Sequence, residues 1–169
     1  SGTTGMPKGV MHSIRNFNNA TYNLNYDIDL PKHPRFFSYL PLSHIAERIG
    51  IENHAFLLGA SMTFADTLES FATDLENTQP SLFFAVPRIW SKFQEKIREG
   101  LPQNKLNILL KVPLLGKVLK KKIRQKLGLS EAGYIVSGAA PLSVDLMKWF
   151  KKLDIEILQG YGMTEDCVI

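Results

Sequence analysis

Stretches of helical spacing alternate with short apolar runs along this chain, which predicts an α/β fold with helices layered on a mostly parallel sheet. Residues 13–26 read as a helix, weakened by their asparagines. Residues 35–40 read as a strand that stops at Pro41. A helix over 44–58 follows, with Ser43 as its cap and Gly59 as its stop. Residues 61–65 suit a short strand and 70–77 a helix, while the apolar run 81–86 suits a buried parallel strand. Pro87 opens a helix that places Trp90, Phe93 and Ile97 on one face. Residues 134–137 make another strand. Ser143 caps a helix with the face Leu146, Trp149, Phe150 and Leu153. A last strand over 155–158 runs into the turn Gln159-Gly160-Tyr161-Gly162, and α/β folds place ligands at such carboxyl ends of strands.

Residues 106–127 break the pattern. Their first half is apolar, interrupted by Lys111, Pro113, Gly116 and Lys117, and their second half is the basic run from Lys120 to Lys126. Leu119, Ile123 and Leu127 recur at helical spacing among those cations. The basic helix 117–127 is therefore either a solvated cover for the domain or a peripheral contact with an anionic membrane.

Composition narrows the picture modestly. The chain has 169 residues, is 44% hydrophobic and 21% charged, and shows no internal repeat or low-complexity tract, so it reads as a single globular segment over 1–169. A chain of this length buries about 70% of its unfolded surface. The net charge of +4 suits anionic small molecules, but no basic stripe interleaved with aromatics argues for nucleic acid. One cysteine, Cys167, excludes an internal disulfide and fits a reducing, cytoplasmic setting. No apolar run is long enough to read as a transmembrane helix.

Candidate chemistry concentrates at both ends of the chain. Ser1-Gly2-Thr3-Thr4-Gly5-Met6-Pro7-Lys8-Gly9 combines hydroxyls, glycines and a lysine. That mixture suits an anion, because glycine lets backbone N–H groups approach a phosphate and the hydroxyls add donors. It is not the common P-loop, since Lys8 is followed by glycine rather than by Ser or Thr. Three other chemistries fail. His44, Glu47 and His54 share a helical face, yet ten residues of helix separate the histidines by about 15 Å, too far for one metal ion. Gly59-Ala60-Ser61-Met62-Thr63 lacks the second glycine of a nucleophile elbow. The run from Gly160 to Glu165 ends in glutamate where a dinucleotide fingerprint needs glycine.

The stretch Ser1 to Gly9 resembles the phosphate-loop signature of the adenylate-forming superfamily. Pro41-Leu42-Ser43-His44 and Gln159-Gly160-Tyr161-Gly162-Met163-Thr164-Glu165 resemble two further motifs of that family, in the same order. Leu82-Phe83-Phe84-Ala85-Val86-Pro87-Arg88-Ile89-Trp90 is similar to long-chain fatty acyl-CoA synthetases in particular. The resemblance implies a part of the large N-terminal domain of the adenylate-forming fold. It also implies an ATP-dependent ligase that turns a long-chain carboxylate into an acyl-adenylate and passes it to coenzyme A, with Mg²⁺. A ligase for medium-chain or other hydrophobic carboxylates, and a catalytically inactive nucleotide- or acyl-binding module, are the alternatives.

By the same resemblance, Ser1, Gly2, Thr3, Thr4, Gly5 and Lys8 grip the β- and γ-phosphates. Gly138, Ala139, Ala140 and Pro141 line the adenine pocket, beside Gly160, Tyr161 and Gly162, with Tyr161 packing on the base. Thr164 and Glu165 meet the α-phosphate and the metal ion, and His44 orients the carboxylate. Arg48 either supports anionic groups or pairs with a carboxylate. The motif arrangement suggests an internal segment of a longer enzyme, lacking the C-terminal lid domain with its lysine and the aspartate for the ribose. Such a segment is expected to bind part of the nucleotide without completing the reaction.

Overall fold

The computed structural model describes residues 6, 8–26 and 28–167. The chain begins with helix α1 (Ile14–Tyr26), where Ser13 Oγ accepts from the Asn16 N–H and so caps it. Strand β1 (Arg35–Ser38) leads into helix α2, which is π-helical over Glu47–Asn53 and α-helical over His54–Leu58. Strand β2 (Ser61–Phe64), helix α3 (Phe71–Thr78) and strand β3 (Leu82–Ala85) follow. Helices α4 (Pro87–Gly100), α5 (Gln103–Lys111) and α6 (Pro113–Lys126) then precede strand β4 (Tyr134–Ser137). Helix α7 (Val144–Lys151), strand β5 (Leu158–Gln159) and a 3₁₀ turn (Thr164–Asp166) complete the described chain.

Every described strand pair is parallel: β1 with β2, β3 with β4, and β4 with β5. Parallel neighbours need helical crossovers, which is why helices separate the strands in sequence. The two sheets meet edge to edge. Ser81 N–H donates to the Arg35 carbonyl at 2.8 Å, and the Tyr39 hydroxyl donates to the Phe84 carbonyl at 3.3 Å. The expected layered α/β arrangement is therefore present, with all strand carboxyl ends on one side.

The main core lies under α4 and α7. Trp90 is fully buried and meets Phe83, Phe93 and Phe150 edge-on, with ring centroids 5.4 to 5.8 Å apart. Its indole N–H donates to the Ala85 carbonyl, and Trp149 donates to Gln103 Oε1 at 2.7 Å, so both buried donors are satisfied. Pro87 stands at the start of α4, and Ser143 Oγ accepts from Leu146 N–H at the start of α7, as the sequence predicts.

Some expectations need correction. Ser43 does not cap α2. Instead His44 Nδ1 accepts from the Ala46 N–H at 3.2 Å, and the His44 carbonyl accepts from Glu47 and Arg48. The expected α-helix over 44–58 is π-helical over Glu47–Asn53, where Ile49 packs toward α1 and Ile51 toward β1. Gly59 does stop it, at φ 59°. The last strand is Leu158–Gln159 rather than 155–158, because Asp154 turns at φ 59° and the buried Ile155 and Ile157 pack into the core without joining the ladder.

Candidate active site

At the carboxyl ends of β3, β4 and β5 the backbone itself makes room for a ligand. A Cβ at Gly138 would stand 2.8 Å from Phe84 Cε2 and 3.2 Å from the Gly160 carbonyl oxygen, so only glycine lets these strand ends close together. The next residue, Ala139, is held at φ 66°, a left-handed conformation unfavourable for a residue with a Cβ. Two bonds fix this turn against β5. Gly160 N–H donates to the Ser137 carbonyl at 2.8 Å, and Leu142 N–H donates to Gln159 Oε1 at 3.2 Å.

A cavity of about 350 Å³ opens beside this turn. His44, Gly138, Ala139, Gly160, Tyr161, Gly162, Thr164 and Glu165 all line it, so residues from three separate sequence stretches meet around one cavity. Ala140 and Pro141 do not line it; both are exposed beyond the turn. They follow the left-handed bend at Ala139. Lys8 lines a neighbouring cleft with Arg48, and Ile45 and Thr164 belong to the walls of both spaces. Ser1, Gly2, Thr3, Thr4 and Gly5 lie outside the described residues.

The lining residues differ in chemistry. His44 uses Nδ1 as an acceptor, so in its neutral form the proton is on Nε2, which is then a donor. Tyr161 is 84% exposed, an unstacked aromatic face at the rim. Glu165 is exposed and forms no ion pair among the described residues. A free carboxylate beside the Thr164 hydroxyl is a hard oxygen donor set that fits Mg²⁺, which binds one or two carboxylates and keeps waters and substrate phosphates. Among the described residues no cluster of three metal-ligating side chains exists, so Glu165 would share such an ion with the nucleotide rather than cage it. Arg48 pairs with Glu52 and is thereby partly neutralised.

The rest of the cavity lining is apolar. Leu24, Ile28, Ala46, Leu82, Phe84 and Val136 supply it, with Phe84 and Val136 directly beside Gly138 and Gly160, and none of these stands out in sequence as a site residue. The period of each element shows only that such side chains turn inward; that they turn toward a shared space depends on how α1 and α2 sit over the strand ends. His54 also reaches this lining. It is almost fully buried, with Nε2 3.3 Å from Asn25 Oδ1, and burial pushes its pKa down, opposed by the hydrogen bond with the Gly50 backbone.

A further residue emerges only in three dimensions. His12 Nε2 lies 2.6 Å from the Thr164 carbonyl oxygen, and Nδ1 lies 3.2 Å from Cys167 Sγ. A carbonyl only accepts, so Nε2 carries the proton and neutral Nδ1 accepts from the thiol. Burial, with the nearby charge of Asp166 adding, pushes the Cys167 thiol up and keeps it protonated for that role. His12 thus ties the segment that follows the glycine- and threonine-rich opening to the turn that carries Thr164 and Glu165.

Comparison with known proteins gives this geometry a context. The AMP-binding enzyme family matches residues 1–169. The long-chain-fatty-acid–CoA ligase ACSBG2 of Rattus norvegicus is 35% identical over 98% of this chain and 30% of its own length. Long chain acyl-CoA synthetase 3 of Arabidopsis thaliana is 32% identical over 99% of this chain and 29% of its own length. Among solved structures, the A domain of the carboxylic acid reductase from Segniliparus rugosus, in complex with AMP and a co-purified carboxylic acid, superposes with a TM-score of 0.71 at 27% identity, covering 94% of this chain and 26% of that one. The chain thus spans about 30% of the length of the curated relatives it matches.

Proposed function

Given that this chain belongs to the AMP-binding enzyme family, we propose that the natural protein is an AMP-forming ligase that joins a long-chain carboxylate to coenzyme A, with this segment supplying part of its nucleotide and acyl site. The carrying observation is the mixed lining of the cavity. His44, Thr164, Glu165 and the glycine backbone share it with the aliphatic and aromatic side chains of α1, α2, β3 and β4. A fatty acid combines the same two chemistries, and its carboxylate belongs beside the polar residues, where the nucleotide also lies.

In the first half-reaction a carboxylate oxygen attacks the α-phosphorus of ATP, and the bond to pyrophosphate breaks. The thiol of coenzyme A then attacks the acyl carbon and releases AMP. His44 Nε2–H donates to the carboxylate and holds one oxygen toward the phosphorus. The Thr164 hydroxyl donates to a phosphoryl oxygen where negative charge is redistributed. Glu165 is the residue that would hold Mg²⁺, which when bound neutralises phosphate charge. Lys8, which lines the neighbouring cleft, serves the β- and γ-phosphates, a role the sequence resemblance also gives to Ser1, Gly2, Thr3, Thr4 and Gly5. Gly138 and Ala139 give the adenine a flat bed, and Tyr161 packs on its other face. The long-chain assignment rests on the names of the relatives together with the apolar lining.

The test is carboxylate-dependent exchange of labelled pyrophosphate into ATP, run on the full natural chain with acids from acetate to palmitate. Exchange that rises with chain length and disappears in Glu165→Ala is the expected result. A maximum at a short or aromatic acid overturns the long-chain assignment. Absence of exchange with every acid, with ATP still bound, overturns the ligase and leaves a binding module.

A further inference from the structure

Helices α5 and α6 form an elbow whose outside resembles neither the core nor the site. Val112 links them in an extended conformation, and Pro113 opens α6. Gly116 seats one helix on the other, since a Cβ there would stand only 3.1 Å from the Leu110 carbonyl oxygen. Leu119, Ile123 and Leu127 are the apolar residues that the sequence places among the basic run, and they face inward against the aromatic core. The elbow exposes a different set: Ile108, Val112, Leu114, Leu115 and Val118, each between 41% and 76% exposed. These residues are close neighbours on two touching helices, an apolar patch on rigid support.

Charge identifies what the patch fits. Residues 101–130 contain eight Lys or Arg and no Asp or Glu, so a chain of net charge +4 carries +8 here and −4 elsewhere. Lys120 and Lys126 pair with Asp154 and Glu76, and Arg124 binds the carbonyls of Asp154 and Leu129, which ties α6 to the body. Lys105, Lys111, Lys117, Lys121 and Lys122 are exposed and form no ion pair among the described residues. They sit one turn from the exposed apolar side chains: Lys105 and Lys111 on either side of Ile108, Lys117 after Leu114, Lys121 after Val118. By contrast, the exposed Phe64 and Leu68 neighbour Asp66 and Glu69.

We infer that the α5–α6 elbow docks on an anionic lipid surface, with its leucines and valines entering the headgroup region and the unpaired lysines meeting lipid phosphates. Lysine stems are long enough to let the ammonium groups remain at the headgroups while the apolar residues go deeper. No helix among the described residues is long and apolar enough to cross a membrane, so the contact is peripheral. This inference stands apart from the ligase reading, because it concerns a surface that shares no residue with the cavity.

The experiment is co-sedimentation of the full natural chain with phosphatidylcholine vesicles and with vesicles containing about 30% phosphatidylserine, at low and high salt. Expected is a preference of at least about tenfold for the anionic vesicles, weakened by salt. Two double variants, Leu114→Ser with Leu115→Ser and Lys117→Glu with Lys121→Glu, should each lower that binding at least about tenfold with the melting temperature unchanged. Equal partition onto both vesicle types, or undiminished binding by either variant, overturns the inference. A leucine variant that lowers the melting temperature of the full chain also overturns it, since another part of that chain then covers the elbow.

Discussion

The two ends of the strands are built from the same backbone and treat their polar groups in opposite ways. At the amino ends the protein closes on itself. The Arg35 guanidinium donates to the carbonyls of Thr78 and Gln79, at 2.9 and 2.8 Å, and Ser81 Oγ accepts from the Arg35 N–H. Gln79, itself at φ 45°, donates through its side chain to the carbonyls of Glu76 and Gln125 and accepts from the Ser130 N–H. At the carboxyl ends the glycines, the strained Ala139 and the exposed Tyr161 and Glu165 border a cavity. One end holds strands, helices and loops together with charged hydrogen bonds; the other keeps donors and acceptors facing a space that a ligand can enter. Stability and function are therefore separable along the length of the strands, and substitutions should sort by end.

The largest effect belongs to the open end. Glu165→Ala, in the full natural chain, should reduce pyrophosphate exchange about 10³-fold, the scale on which removal of one charge-stabilising group acts. Its melting temperature should not move, since the side chain is exposed and unpaired among the described residues. At the closed end the outcome reverses. Arg35→Met should lose about 3 kcal/mol in urea denaturation, because hydrogen bonds to charged groups are worth more than neutral ones and two buried carbonyls lose their donor. Exchange activity per folded molecule should stay the same. A loss of activity without loss of stability at Arg35 would end the division between the two ends.

Sequence legibility follows the same division between local and distant causes. Elements whose boundaries are set by adjacent residues were readable: Ser143 as a cap, Pro87 as a helix start, Gly59 as a stop, β3 as a buried parallel strand and β4 as a short strand. The motif residues from His44 to Glu165 were readable as a group only through their resemblance to motifs of the adenylate-forming superfamily in the same order; taken singly, a histidine at a helix start or a Thr-Glu pair in a loop carries no such signal. Features set by tertiary packing were not. The π-helical turn in α2 lies between α1 and β1, and no periodicity of its own announces it. The Arg35 hub reaches carbonyls more than forty residues away, and His12 meets Cys167 across 155 positions of sequence. Pattern reading detects what repeats within a turn or two, and these contacts repeat nowhere.

His12 tests whether the open end has internal bracing. His12→Ala removes the donor to the Thr164 carbonyl and leaves the Cys167 thiol without its acceptor. A net hydrogen bond of about 1 to 1.5 kcal/mol corresponds to a rise of up to about tenfold in KM for ATP, with kcat changed less. His12→Asn, which retains an amide donor, should recover part of the loss. Equal defects in both variants would show that the ring fills space rather than positions Thr164.

The smallest effects come from two buried titratable groups on α2, which oppose each other. Burial holds the His54 pKa below its usual 6.5, so its contribution is complete above that pH and is lost as pH falls through the lowered value. Burial is also the main influence on Glu47, and it raises the carboxyl above 4.5 against hydrogen bonds from Ser38, Leu40 and Tyr39. Its contribution is complete below 4.5 and is lost as pH rises through the raised value. Melting curves across pH separate the two. The advantage of the natural chain over His54→Gln should shrink as the solution is acidified below 6.5, whereas its advantage over Glu47→Gln should shrink as pH rises from 4.5. Curves that stay parallel across pH for either variant would mean that the corresponding side chain titrates alike in the folded and unfolded chain, and that burial at that position of α2 is looser than the packing indicates.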